Sequence, residues 1–431
     1  VRVAQSSLIR QAVLSTVGVL VQGLARFGYS VIVGRALGPD ALAHVNTLIS
    51  LSIILSLFWP TAAGNAAGSF LARARASGAS PRPVLRLLLV SFAVSCVVLV
   101  LAGIVVVLVL PGANASDILA FTALVVAWSG YILGRGVQLG LGRVASAALW
   151  DVVSAVASIA LLVAVVAADL PALLLLPLAA GYALFAVTAW VGAARETAHG
   201  PVERQPAAAA SGSPAVSPAA GDVLRFIGWN SAGLLATNGL IQFAMVFSYV
   251  ASDARDAGMF AAAMALATPA SMLAQAVSQA LIPRFSEWAH ADAEGAVARY
   301  RPVLGVMVVV LAAAFGAVAV VAPWLVPLLY GPGFDDAVGF LRLLLLGVFL
   351  FSVGVIASSF LITTGRAVSA AVAAGIGTAC GLAVMLAAAP ALGGSVAAGW
   401  GVAAGSGVTA IAVVASSIAG VVKPGRGEDR G

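Results

Sequence analysis

The stretch VLVQGLARFGYSVIVGRALGP, from Val19 to Pro39, decides what kind of protein this is. It reads as the outer part of a membrane-crossing helix that ends in a Gly-Pro turn at Gly38 and Pro39. Two arginines, Arg26 and Arg35, interrupt it. Arg35 sits at the end of the span, where its head reaches water. Arg26 lies inside, where a charge costs about 2.5–3.5 kcal/mol on insertion scales and by default marks function. The rest of the chain agrees with a membrane setting: 62% of the 431 residues are hydrophobic and 9% are charged. Soluble domains carry about 25% charged residues.

Working outward, stretches of roughly 20 apolar residues separated by Gly, Pro, Asn and charge clusters predict twelve spans. The first six run near 10–33, 41–63, 86–110, 117–138, 144–167 and 170–193. The second six run near 223–250, 257–281, 302–329, 337–362, 367–389 and 394–421. The Pro/Ala/Ser-rich segment HGPVERQPAAAASGSPAVSPAAGD between the sets reads as a flexible linker. The expected domains are an N-terminal six-helix bundle over 1–195, a cytoplasmic linker over 196–221, a C-terminal bundle over 222–421 and a tail over 422–431. The fold class is an all-α integral membrane protein with two pseudo-symmetric six-helix bundles around a central cavity. An internal repeat supports this. GRVASAALW from Gly142 matches GRAVSAAVA from Gly365 at a shift of 223 residues. LGPDALAHVNTL and ARDAGMFAAAMAL match more weakly at a shift of about 215. The RFSEWAHADAEGAVARYR segment from Arg284 reads as a solvated connector or a short surface helix.

The basic residues orient the chain. With the N-terminus inside, eighteen Lys and Arg fall on inner segments and only Arg35, Arg255 and Arg342 on outer ones. The positive-inside rule then predicts a multi-pass plasma-membrane protein with both termini cytoplasmic. The first apolar run is long enough to stay as a span rather than be cleaved.

Several function classes drop out. The net charge of +6 is too dispersed for nucleic acid. No Gly-x-x-x-x-Gly-Lys-Ser/Thr loop exists, so the chain does not use ATP itself. His44, His199 and His290 lie far apart and give no metal-ligand spacing. Cys96 and Cys380 sit in apolar runs and read as small buried residues. No cofactor is implied. Pairs such as Gly64 with Gly68 and Gly401 with Gly405 are explained by close helix packing.

Polar residues inside the spans are more informative. Gln11, Ser15, Gly18, Gln22, Arg26 and Tyr29 recur at steps of three or four and share one face of the first helix. Ser231, Asn238 and Gln242 do the same on the seventh, with Asn230 and Thr237 beside them. If the halves are repeats, the two stripes are expected to face each other across a water-filled cavity. Arg26 lies seven residues from the outer end of its helix. That is roughly 10 Å, near the limit of a snorkelling arginine. In a cavity its bidentate fork suits a phosphate or carboxylate. The candidate substrate-binding set is therefore Arg26, Gln22, Tyr29, Asn238 and Gln242. Asp151 lies two turns into the fifth span, and Arg135 lies near the inner end of the fourth. The two are placed to meet as a structural ion pair, or as a coupling-ion or proton site.

GRALGPDALA after the first span resembles the Ala-Arg-x-Leu-Gly-Pro-x-x-x-Gly signature of polysaccharide (O-antigen/teichoic acid) flippases, with Ala43 where that Gly is usual. GMFAAAMAL, LIPRFSEWA, PLLYGPGF with LRLLLL, and TTGRAVSA are similar to the second half of the same family. This family lies in the multidrug/oligosaccharidyl-lipid/polysaccharide exporter superfamily. The resemblance covers about residues 5–420. It implies a non-enzymatic flippase that moves an undecaprenyl-pyrophosphate-linked oligosaccharide to the outer leaflet, with Arg26 on the pyrophosphate. It also implies work beside a polysaccharide polymerase or glycosyltransferases. The main rival is a cation-coupled multidrug and toxin extrusion antiporter, which would need acidic cavity residues. A membrane glycan polymerase or ligase would need a large outer loop, and the outer loops are very short.

Overall fold

The computed structural model describes residues 2–111, 114–198, 219–291 and 293–419. Most of the expected linker, 199–218, and the tail 422–431 lie outside them, as do His199 and the side chains of Gln11 and His290. Among the described residues there are twelve helices, one short 3₁₀ turn at Pro171–Leu173 and no strand. Ten helical stretches are long and apolar enough to cross a membrane.

Helix α1, Arg2–Phe58, is two helices end to end. They part at Gly38, whose φ of 87° and ψ of −177° belong to a region essentially reserved for glycine. Pro39 then opens the second arm, because a residue in the first turn needs no N–H partner. Gly258, at the start of GMFAAAMAL, lies so close to Pro39 that a Cβ there would collide with the Pro39 backbone. Two of the sequence motifs therefore meet at this turn.

The second span extends further than expected. After a break at Trp59 it continues as α2, Pro60–Ala76, beyond the predicted end at 63. Its small residues lie flat on the fourth helix: a Cβ on Gly64 would meet the Ile132 carbonyl at 2.8 Å. That contact makes helix more favourable than loop. Arg73 and Arg75 close α2 at its negative dipole end.

Helices α3 (Arg82–Val109), α4 (Ala115–Gly140), α5 (Val144–Ala167), α6 (Leu176–Ala198) and α7 (Ala220–Ala251) follow. Then come α8 (Ala254–Ala291), α9 (Ala293–Tyr330), α10 (Ala337–Thr363), α11 (Ala367–Leu392) and α12 (Gly394–Ile418). The segment from Arg284 is not a separate surface helix. It forms the ends of α8 and α9, because Phe285 is fully buried and packs edge-on against Tyr300 and Phe360. Helix α3 leaves Val94, Val97, Val98, Leu101, Val105 and Leu108 exposed, as does α9 with Val306, Val309, Val310 and Val320. Such apolar faces suit lipid.

The chain forms two compact units, Val1–Ala265 and Leu266–Gly431. Helix α7 packs on α1 and α2, so the first unit extends past the linker. In the second unit α12 fits between α10 and α11 through small residues. A Cβ on Gly401 would meet Met385, and one on Gly347 would meet Val402 and Ala403.

The 223-residue match has a counterpart in the backbone. Gly142 and Gly365 both turn with positive φ, 78° and 79°. Arg143 N donates to Gln138 O at 2.8 Å, and Arg366 N donates to Leu361 O at 2.8 Å. Both arginines then reach toward the last helix of their half. Arg143 fills the space beside Gly192 on α6, and Arg366 donates to the Ser416 carbonyl on α12 at 2.7 Å.

Candidate functional site

The polar stripe of α1 finds its partners inside the N-terminal unit. Asp151 on α5 is completely buried. Its Oδ2 accepts from Arg135 Nε at 3.2 Å, and its Oδ1 accepts from the Tyr131 hydroxyl at 2.9 Å. Arg135 Nη2 also donates to the Ser15 carbonyl at 3.0 Å and Ser15 Oγ at 3.3 Å. One guanidinium thus ties α4, α5 and α1 together. Gly18 makes this possible, since a Cβ there would run into the Asp151 carboxylate.

Gln22, one turn further along α1, donates to the Asp151 carbonyl at 2.8 Å and to Ser154 Oγ at 2.6 Å. The Tyr29 hydroxyl donates to the Leu174 carbonyl between α5 and α6. Arg26 lies between these two residues, half-buried, with its guanidinium carbon 5.2 Å from the centre of the Trp128 ring. Trp128 is fixed by its indole N–H, which donates to Ser56 Oγ at 3.0 Å. Around it, Tyr131 lies at 5.4 Å and Tyr182 at 4.8 Å, ring centre to ring centre. The buried Tyr182 hydroxyl has no partner among the described residues. Cation–π attraction holds a guanidinium but leaves its charge uncompensated. Among the described residues, Arg26 makes no ion pair.

The structure therefore brings together Arg26, Gln22, Tyr29, Arg135 and Asp151, all in the first unit. Asn238 and Gln242 are not joined to them. Asn238 donates to its neighbour Thr237 at 3.0 Å, and Gln242 Oε1 has no partner among the described residues. Helix α7 instead meets α2 through Asn65 and Asn230 at 2.8 Å. Among the described residues, the hydrogen bonds of the α1 stripe run to α4, α5 and the segment before α6, and none runs to Asn238 or Gln242. Asp151, Ser154 and the aromatic residues of α4 and α6 offer the α1 stripe nearer partners. Sequence reasoning overlooked Trp128, Tyr131 and Tyr182. A signal existed in Trp128, Tyr131 and Arg135, which recur at helical spacing and share one face of α4.

Asp151 is the only described acidic residue more than about one turn from a helix end. Its charge is answered within the chain, whereas Arg26 has no carboxylate partner among the described residues. The described residues hold no cluster of three or more His, Cys, Asp or Glu that would grip a metal.

No protein-family model matches the chain, and no curated protein matches it. Solved structures do. An inward-facing multidrug resistance MATE transporter of the MOP superfamily matches with a TM-score of 0.71 at 17% identity, over 94% of this chain and 97% of that one. A MOP superfamily transporter from Pyrococcus furiosus, described as having a binding pocket of reversed polarity that suggests a different function, matches at 0.60 and 15%, over 95% and 94%. The eukaryotic MATE transporter AtDTX14 matches at 0.59 and 16%, over 95% of each chain. The chain has the fold of MOP-superfamily transporters, as the motifs led one to expect. The polysaccharide branch, which rested on the motifs alone, gains nothing from these three.

Proposed function

We propose that this protein is a membrane exporter working by alternating access, and that its substrate is amphipathic with an anionic group. Multidrug MATE transporters share its fold, which supports a drug exporter over the lipid-linked glycan flippase. The observation that sets the charge preference is the contrast between Arg26 and Asp151. Arg26 offers an uncompensated guanidinium beside three aromatic rings, with the Tyr182 hydroxyl as a further donor. Asp151 has both oxygens occupied and offers nothing to a cationic drug. A guanidinium takes carboxylate or phosphate through two parallel hydrogen bonds, and aromatic faces cover the apolar body of a ligand. The Pyrococcus furiosus transporter, described as having a binding pocket of reversed polarity, shares this fold.

A lipid-linked glycan remains the second reading, because it too carries a pyrophosphate and because Asn65, Asn230, Thr237 and Asn238 lie on an exposed or half-exposed amide surface. On either reading the protein sits in the cell membrane with both termini cytoplasmic and needs no partner enzyme for transport itself. Asp151 with Arg135 serves as a structural pair joining α1, α4 and α5.

Transport into proteoliposomes tests this. Fluorescent amphiphiles matched in body but carrying a phosphate, a carboxylate or an ammonium should move in that order of rate. Arg26→Ala should lower phosphate-amphiphile transport at least about 10-fold, the value of one charge-assisted contact, and Arg26→Lys should retain part of it. Faster efflux of the ammonium compound under a proton or Na⁺ gradient would instead establish the cation antiporter.

A further inference from the structure

His44 is used by none of the chemistry above. It sits in the second arm of α1, just after the Gly38 turn, about a quarter exposed. Its Nε2 lies 3.2 Å from Asp117 Oδ1 on α4. Its Nδ1 lies 3.1 Å from the Tyr249 hydroxyl near the end of α7. That hydroxyl lies in turn 3.2 Å from the Pro111 carbonyl, just before α4. One imidazole thus gathers the ends of α1, α4 and α7 within the first unit.

Counting protons distinguishes the two forms of the ring. An ionised Asp117 carboxylate only accepts, and its Oδ2 also takes the Asn114 N–H at 3.2 Å in the α4 capping box. Nε2 must therefore carry a proton. The Pro111 carbonyl also only accepts, so the single proton of the Tyr249 hydroxyl goes there. Nδ1 must then donate as well, and a ring donating from both nitrogens is an imidazolium. In the neutral form one contact is lost: either Tyr249 turns its proton to Nδ1 and releases Pro111, or two lone pairs face each other. The titratable groups facing the ring are Asp117 from α4 and Tyr249 from α7. Exposed Asp40 lies one turn earlier on its own arm.

We propose that His44 is a pH-gated clasp: as the imidazolium it fastens the end of α7 to α1 and α4, and on losing its proton it gives up one bond of the three. Histidine changes charge between about pH 5 and 8, so the clasp would respond to the medium around this end of the helices. The proposal stands apart from the substrate reading and does not depend on it.

The chain has only three histidines, which makes a direct test practical. Full-length protein with ¹⁵N-labelled histidine is placed in nanodiscs, and His44 is assigned from the signal missing in His44→Gln. At about pH 5.5 both ring nitrogens should show the protonated pattern, and by about pH 8.5 the neutral one. In parallel, Tyr249→Phe should lower the melting temperature by about 2–4 °C at the acidic pH and by much less at the alkaline one. A neutral His44 at pH 5.5 would overturn the clasp, and so would a Tyr249→Phe effect that ignores pH. If Tyr249→Phe does not fold, the wild-type spectrum decides alone. Because it reads the ring itself, titration of Asp117 cannot be mistaken for it.

Discussion

The α4–α5 hairpin and the α10–α11 hairpin turn in the same way and enclose different interiors. Gly142 and Gly365 have nearly the same φ, and the arginine after each donates its N–H five residues back. At the same 223-residue shift, however, Trp128, Tyr131, Arg135 and Asp151 of the first hairpin become Phe351, Gly354, Ser358 and Ala374. The second hairpin closes directly on α12, with a Cβ on Gly354 meeting Ala410 at 3.6 Å. The first keeps a carboxylate, a guanidinium and two rings where the second keeps Phe351 and small residues. The turn recurs with its arginine, while Arg135 and Asp151 have no charged counterpart at the same shift, and this asymmetry is why the proposed site is placed in the first half.

The sharpest way to break this comparison is to remove the charge partner. Arg135→Ala leaves Asp151 buried without its cation, which should cost about 3–5 kcal/mol, whereas Ser358→Ala at the equivalent place should cost about 0.5 kcal/mol or less. Thermal unfolding of the purified variants measures both, and equal losses would show that the asymmetry has no energetic content. Arg135→Gln with Asp151→Asn should recover much of the stability, since no unpaired charge remains.

Building the missing charge into the second half sharpens the comparison from the other side. Ala374 is only 2% exposed, so Ala374→Asp should cost about 2.5–3.5 kcal/mol on membrane insertion. Adding Ser358→Arg should restore part of the yield of folded protein in membranes. If it restores nothing, the α10–α11 interior cannot hold the pair that α4–α5 holds.

The smallest effects belong to the turns. Gly142→Ala and Gly365→Ala each put a side chain at positive φ, a strain of roughly 1–2 kcal/mol. Gly142→Ala should be the worse of the two. The Arg75 guanidinium occupies the space of its Cβ, while nothing lies within 4 Å of that at Gly365. Comparing the two melting temperatures checks this, and a larger loss at Gly365 would contradict the packing.

The motifs predicted some of these features and missed others for identifiable reasons. GRALGP announced a turn, and Gly38 and Pro39 supply the two backbone properties it needs. The meeting of Asp151 with Arg135 followed from their distances to a short hairpin. The end of the second span was misplaced because Gly64 and its neighbours look like helix breakers until they lie against α4. The segment from Arg284, read as a solvated connector or a surface helix, differs for a similar reason: Phe285 is buried by Tyr300 on the next helix and by Phe360, which is far away in sequence. Ser154 looked unremarkable, yet Gln22 chose it as a partner.

By itself the sequence determined the membrane class, the helical fold and the turns at Gly38, Gly142 and Gly365. Those properties depend on hydropathy over about 20 residues and on Gly and Pro, which act locally. Only the tertiary structure decided which way the polar faces point. A helix face shows that partners are needed but not which ones, and a buried polar group settles wherever geometry completes its hydrogen bonds. For the α1 stripe that place includes Asp151, Ser154 and the Trp128 ring. Arg26, a misplaced charge in the sequence, lies in the structure against Trp128, beside a buried hydroxyl that lacks a partner.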